Sequence, residues 1–259
     1  MNAFHKYSKP IAVFIVLIIT LAAIIYVVHL RTPAEKSDRR DSILIPLYSG
    51  NSAQWQEILN LHAEYKNVGF YVIVNPDNGS GNASNATYAS WIDRSEAAGI
   101  TVLGYVFTSY GNRSISSIED EVSNYTNWYG LHSILFDEVS DNATEEAFYH
   151  EVVNQSHAKG INFTVGNPGD FVPTDYLSIF NVTVIYENPG YPVLSTLREY
   201  AKNVAGLRLG VIVYAVTFSE SEISGIGEIA STDYFSDQNL PDPYQNLSSY
   251  LPQIAQMFN

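Results

Sequence analysis

Residues 101–137 read TVLGYVFTSYGNRSISSIEDEVSNYTNWYGLHSILFD. Thr101–Phe107 and Ser133–Asp137 are short apolar runs rich in β-branched and aromatic residues, and Ser116–Tyr129 between them carries apolar residues at helical spacing. Two strands joined through a helix must run parallel, so this stretch is one β-α-β unit. The same alternation continues in both directions. Further strands are predicted at Ile43–Tyr48, Phe70–Asn75, Asn162–Gly166, Val182–Tyr186 and Arg208–Tyr214, with a weak last one near Glu228–Thr232. Helices are predicted at Ala53–Tyr65, Asn85–Ala98, Thr144–Lys159, Val193–Val204, Ser219–Ile226 and Leu247–Met257, and only the stretch after the fifth strand is thin. Eight strands with intervening helices in 218 residues (259 minus 41) predict a compact (β/α)8 barrel of TIM type. No Gly-x-Gly-x-x-Gly follows the first strand, which removes the main support for a dinucleotide-binding sheet.

Ahead of this α/β domain, Ile11 to Leu30 runs twenty residues without a formal charge. At a helical rise of about 1.5 Å per residue that matches the ~30 Å hydrocarbon core of a bilayer. The run ends in Val-Val-His-Leu-Arg without a small-residue cleavage site, so it reads as a retained single transmembrane helix rather than a removed signal. The expected organisation is a short cytoplasmic segment 1–10, an anchor 11–30, a charged tether 31–41 and the barrel 42–259. Lys6 and Lys9 precede the span while Arg31, Lys36, Arg39 and Arg40 follow it, so the positive-inside count alone favours the opposite topology. Ten Asn-x-Ser/Thr sequons, from Asn78 to Asn246, weigh against that count and favour a domain on the outer face of the cell membrane.

Charge and composition exclude several classes. Residues 42–259 hold seven Lys and Arg against 24 Asp and Glu, a net charge of −17 (7 minus 24), which disfavours nucleic acid as a partner. Cysteine is absent, so no disulfide, thiolate-metal or thiol-nucleophile chemistry is available. His62, His132, His150 and His157 form no His-x-x-x-His pair and none ends a strand, and no metal or cofactor is expected. A Gly-x-Ser-x-Gly elbow and a phosphate-binding Gly-x-x-x-x-Gly-Lys loop are both missing.

The chemistry collects where the strands end, because in a parallel barrel all those ends meet at one mouth. Tyr48 follows the first strand, Asn75 the second, Thr108 and Tyr110 the third, Asp137 and Glu138 the fourth, Asn167 the fifth, Glu187 the sixth, and Tyr214 with Thr217 the seventh. Asp137 and Glu187 sit at matching positions on strands of like parity, which contribute to one side-chain layer. Such a carboxyl pair is what glycosidic cleavage needs, one group to protonate the leaving oxygen and one to attack the anomeric carbon or activate water. From alternate strands the two carboxyls can close to about 5 Å or about 8 Å, so the residues alone leave retention and inversion open. Glu138 reads as a wall residue that orients the site. Tyr48, Tyr105, Tyr110, Tyr186, Tyr214, Tyr234 and Tyr244 lie at or near strand ends, where as a group they offer flat faces for sugar rings, although any one of them alone reads as core packing.

Ile45-Pro46-Leu47-Tyr48, Val74-Asn75-Pro76 with Gly79-Ser80-Gly81, Val102-Leu103-Gly104-Tyr105-Val106 with Thr108, Tyr110-Gly111 and Arg113, then Phe136-Asp137-Glu138 and Asn167-Pro168-Gly169 follow one another in an order that resembles the spherulin 4 family. The resemblance covers the domain from about Ile43 to the C-terminus. It implies a (β/α)8 glycoside hydrolase acting with retention on α-1,4-linked N-acetylgalactosamine or galactosamine polymers, with Asp137 as nucleophile, Glu187 as general acid/base, Glu138 supporting and Arg113 among the substrate-binding residues. Two departures bear on the substrate. Asp77-Asn78-Gly79-Ser80-Gly81 lacks the family's proline before the last glycine, and Asp242-Pro243-Tyr244 stands where Asn-Pro-Tyr is usual. The expected function is therefore a membrane-anchored retaining endo-glycosidase of hexosamine polysaccharide. The alternative on the same scaffold is a non-catalytic carbohydrate-binding or adhesion protein.

Overall fold

The computed structural model describes residues 41–204 and 206–259. The membrane span expected at 11–30, the segment before it and all but the last residue of the tether lie outside those residues. Among the described residues no helix is long and apolar enough to cross a membrane.

Eight parallel strands close into a barrel in sequence order. They are β1 (Ser42–Leu47), β2 (Gly69–Val74), β3 (Thr101–Phe107), β4 (Ser133–Asp137), β5 (Phe163–Gly166), β6 (Val182–Pro189), β7 (Leu209–Tyr214) and β8 (Thr232–Phe235). Closure is made by β1 pairing with β8, Ser42 against Thr232 and Ile43 against Asp233. Seven helices cover the outside: α1 (Ser52–Glu64), α2 (Ala86–Ala97), α3 (Ile115–Tyr129), α4 (Glu146–Ala158), α5 (Leu194–Ala201), α6 (Glu220–Gly227) and α7 (Leu251–Phe258). The thin stretch after β5 holds only a 3-10 turn, Thr174–Ser178.

Most strand positions are apolar because barrel strands are covered on both faces, by interior side chains and by helices. Ile43, Leu44, Ile45, Val72, Val102, Leu103, Ile134 and Val184 are all fully buried. Helix starts follow side-chain capping: Asn51, Asn85, Ser114 and Ser219 each accept a backbone N–H of the first turn of α1, α2, α3 and α6. Gly104 of β3 lets α3 approach, since a Cβ there would stand 2.6 Å from the Tyr125 ring. The Tyr125 hydroxyl then donates to the Val74 carbonyl at 3.2 Å, tying α3 to β2.

Two features differ from expectation. The last strand is Thr232–Phe235, whereas Glu228 caps the end of α6. Asp233 interrupts the apolar run and hides the strand; its carboxylate is buried and accepts the Val211 amide at 3.0 Å. The sixth strand runs on to Pro189 through a bulge at Ile185, where the register against β7 shifts between Val184 and Tyr186. A bulge resets which face the following side chains occupy, and here Glu187 follows it by two positions.

Candidate active site

Asp137 ends β4, Glu187 lies on the extended β6, and Asn167 comes one residue after β5 between them. The Asn167 amide donates to Asp137 Oδ1 at 2.8 Å and also to Glu187 Oε2. Two acceptors on the two diverging hydrogens of one planar NH2 group lie about 5 Å apart at ordinary bond lengths. Asn167 is itself fixed, 6% exposed, with its N–H donating to the Phe136 carbonyl at 2.8 Å and its carbonyl accepting from Val139 at 3.1 Å. Both carboxylates open on one cleft of 510 Å³, lined also by Tyr110, Glu138, Gly169, Asp170, Tyr214 and Tyr244.

Each acid has its own set of donors. Asp137 accepts from the Asn167 amide, and the Tyr105 hydroxyl and the Glu138 backbone N–H stand beside its carboxylate as further donors. Glu187 accepts from the Tyr244 hydroxyl and Asn167, and its backbone N–H donates to the Gly169 carbonyl at 3.0 Å. Burial pushes both carboxyls above the ordinary carboxylate range. For Glu187 the charge on Asp137 raises it further, against the lowering effect of its hydrogen bonds. Three donors converge on Asp137 and two on Glu187, so the arrangement favours a charged Asp137 beside a protonated Glu187.

The structure brings together most of the residues expected at the mouth. Tyr48 packs edge-on against Tyr105 and Tyr244, at ring separations of 5.5 and 5.7 Å. Tyr214 packs edge-on to Tyr244 at 6.3 Å. Tyr110 stands on the rim, 59% exposed, with a left-handed backbone at φ +54°. Glu138 also takes a left-handed conformation, φ +50°, and lines the cleft.

Other candidates are placed elsewhere. Thr108 is fully buried below the mouth, and its hydroxyl donates to the Glu138 carbonyl just beyond β4. Asn75 accepts the Gly79 N–H at 2.6 Å and shapes the loop after β2. Arg113 lies in a separate groove, paired with Glu121 at 2.5 Å, donating to the Phe107 carbonyl at 2.9 Å and stacked on the Phe107 ring. The Tyr186 hydroxyl donates to the Gly190 carbonyl at 3.0 Å, and Thr217 is exposed with its carbonyl taken by Tyr191; neither lines the cleft. His150 and His157 are exposed on α4.

Asp170, Asn188, Leu240 and Pro243 are not among the expected site residues, yet all line the cleft, as does Tyr244, which the sequence marks only as one ring of the tyrosine group, whereas Tyr234 of that group is fully buried in β8. Tyr244 and Pro243 come from the long segment between β8 and α7, where no strand end marks them. Their signal was the Asp242-Pro243-Tyr244 departure noted in the sequence.

The model of spherulation-specific family 4 matches residues 42–258. Spherulin-4 of Physarum polycephalum is 31% identical over 163 residues, 62% of this chain and 48% of its own length, so the chain spans about half of that relative. The crystal structure of Aspergillus clavatus Sph3 in complex with GalNAc is similar with a TM-score of 0.74 at 20% identity, covering 85% of this chain and 98% of that one. An O-GlcNAc hydrolase mutant from Thermobaculum terrenum follows at 0.56 and 12% identity, over 85% of this chain and 59% of that one. At these identities the likeness shows the barrel alone, a scaffold that carries many chemistries.

Proposed function

The chain belongs to spherulation-specific family 4, and from that premise we propose that it is a retaining glycoside hydrolase of hexosamine polysaccharide. The single observation that carries this is the Asn167 amide donating to an oxygen of both carboxylates, which draws the two acids within reach of one side chain, closer to the roughly 5 Å of retaining enzymes than to the roughly 6.5 to 9.5 Å at which inverting enzymes seat a water.

In this reading Asp137, its ionised form favoured by Tyr105, the Glu138 amide and Asn167, attacks the anomeric carbon from the face opposite the departing oxygen, whose bond to that carbon breaks. Glu187, kept protonated by burial and by the charge on Asp137, gives its proton to the departing oxygen. Once the glycosyl ester has formed, the charge on Asp137 is gone. Glu187 then carries the negative charge more easily and takes a proton from the incoming water. Tyr244 and Asn167 hold its carboxylate in line through both steps.

The cleft also speaks to the substrate. Asp137, Glu138, Asp170 and Glu187 line it and no Lys or Arg does, so uronic-acid and sulfated chains are repelled while neutral or amino sugars are admitted. Sph3, the family-scale structural neighbour, is described in complex with GalNAc. N-acetylgalactosamine or galactosamine in α-1,4 linkage, cut within the chain, is the substrate we assign. We place the barrel outside the cell membrane, tethered through the apolar span 11–30.

Release of reducing ends from purified α-1,4-galactosaminoglycans, neutral glucans and uronic-acid polymers tests the reading, with proton NMR of the first-formed anomer. Release of α-configured ends from the hexosamine polymer alone is expected. A β-configured first product would overturn retention, and no release from any polymer would overturn the hydrolase.

A further inference from the structure

Behind the mouth, the backbone that carries Asp137 is held from outside the barrel. Glu138 is a non-glycine residue in the left-handed region, a conformation that persists only where the surroundings impose it. The Glu138 N–H belongs to the peptide that begins at the Asp137 carbonyl, and it stands beside the Asp137 carboxylate. The Thr108 hydroxyl donates to the Glu138 carbonyl at 2.7 Å and lies 3.1 Å from the Asp137 carbonyl, which also accepts the Thr108 N–H at 2.9 Å. The Tyr149 hydroxyl of α4 lies 3.1 Å from the Thr108 oxygen and accepts the Ser140 N–H at 2.7 Å. Because Ser140 N–H already points its hydrogen at the tyrosine oxygen and Thr108 donates to Glu138, only one polarity satisfies the chain: Tyr149 donates to Thr108 and Thr108 donates to Glu138. Thr108 and Tyr149 are fully buried and Ser140 nearly so, so no water replaces a missing link.

We propose that Tyr149, with Thr108, is a positioning residue for the nucleophile, acting through the two peptides that flank Glu138 although its ring belongs to an outer helix and never meets the sugar. Neither residue touches the cleft. The inference rests on Asp137 being the nucleophile, but one of its readouts needs no substrate.

Tyr149→Phe removes one hydroxyl and keeps the ring. Without it the Glu138 N–H drifts from the Asp137 carboxylate, which loses part of its stabilisation as an anion. Besides Glu138, the groups facing that carboxylate are Tyr48, Tyr105, Tyr110 and Glu187, all of which remain. Removing a donor from the charged form raises the pKa, so the acidic limb of the rate profile moves to higher pH. The kcat falls about tenfold with KM little changed, the effect expected of one neutral hydrogen bond in the network. Thr108→Val behaves likewise, and Thr108→Ser restores the profile. Ser156→Ala is the control, since it removes a buried hydroxyl from the same helix that bonds Glu119 at 2.9 Å, far from the mouth. It lowers Tm but leaves kcat and the pH profile alone.

The carboxyl-carbon NMR titration of Asp137, assigned by difference against Asp137→Asn, reads the same shift in protein alone. An upward shift in Tyr149→Phe and Thr108→Val, absent in Ser156→Ala, supports the proposal. An unchanged titration in Tyr149→Phe overturns it, and so does an equal shift in Ser156→Ala. If the wild-type chain cleaves nothing, the hydrolase reading fails while the titration still decides the positioning role.

Discussion

The two ends of this barrel are built on opposite principles. At the floor, where the strands begin, Tyr71 of β2 and Phe163 of β5 stack at 5.1 Å and an interplanar angle of 5°, from strands that are not neighbours. The Arg208 guanidinium lies 5.7 Å from each ring and donates to the Tyr71 hydroxyl at 3.2 Å and to Thr232 at 3.4 Å. At the mouth four carboxylates line one cleft, and Ser109, Tyr110, Glu138 and Ala215, all non-glycine, stand at φ between +50° and +56°. The floor has a positive charge among aromatic faces and hydroxyls; the mouth has negative charges pressed together over a strained backbone. The first arrangement stabilises the fold, and the second is tolerated because of what it can do.

That contrast is broken most directly at Asp137. Asp137→Asn keeps an oxygen acceptor and removes the charge, so activity on the polymer falls about 10⁴-fold or more. Stability moves the other way, with Tm rising by a few degrees, or about 1 kcal/mol, because a buried anion beside another acid is gone. Thermal melts beside initial rates check both. A fall in Tm on this change would mean the mouth contributes to stability as the floor does.

At the floor the expectation is reversed. Arg208→Met keeps much of the volume but loses two hydrogen bonds and the contact with two ring faces, at a cost of about 1 to 3 kcal/mol in denaturant unfolding. The kcat and the pH profile stay as in the wild type. A changed kcat at unchanged KM would show that the two ends are coupled.

The same division decided what could be read from the sequence. β1 to β7 were legible because strands covered on both faces read as near-continuous apolar runs. β8 was not, since Asp233 interrupts it, and the Val211 amide that its carboxylate accepts lies 22 residues away in the chain. Asp137, Glu187 and Asn167 were legible because they sit at or just beyond strand ends. Tyr244 was legible only as one of several rings near the last strand; its bond to Glu187 was not, because it reaches that acid from a segment with no period, 57 residues on in the chain. Arg113 and Thr108 follow β3 just as Tyr110 does, but a carboxylate, a ring face and backbone carbonyls inside the wall claim them, and position after a strand cannot reveal that.

A smaller effect sharpens the electrostatic side of the mouth. The Tyr244 hydroxyl donates to the Glu187 carboxylate and so favours its charged form. Tyr244→Phe therefore raises the Glu187 pKa, and the basic limb of kcat/KM moves to higher pH while the optimum rate drops about tenfold. Stability gives an independent check of the sign. The folded-state values of Asp137 and Glu187 lie above their ordinary ones, so the fold binds protons more tightly than the unfolded chain does. The stability this confers is fully present below the ordinary carboxylate range near 4 and is lost as pH rises through the elevated folded values. Unfolding free energies measured from pH 4 to pH 8 should fall across that window, and the fall should flatten in the paired variant Asp137→Asn with Glu187→Gln. A slope as steep in that variant would place the responsible groups elsewhere.

The smallest effect tests whether strain at the rim is kept for a purpose. Tyr110 holds a left-handed backbone, anchored by its N–H on the Glu138 carbonyl at 2.7 Å, and leaves its ring 59% exposed above the cleft. A bulky residue pays about 1 kcal/mol for that conformation, whereas asparagine enters it more readily through its short polar side chain. An exposed ring contributes little to the fold, so Tyr110→Asn should be more stable by up to about 1 kcal/mol. If the ring stacks on a sugar, its loss raises KM several-fold, in keeping with the roughly 0.5 to 1.5 kcal/mol of an aromatic contact, and leaves kcat nearly unchanged. Steady-state kinetics on oligosaccharides of defined length, paired with urea unfolding, measures both quantities on one preparation. A variant that gains stability at unchanged KM would show strain without a binding role, and one that loses stability would place Tyr110 with the floor residues as part of what holds the barrel together.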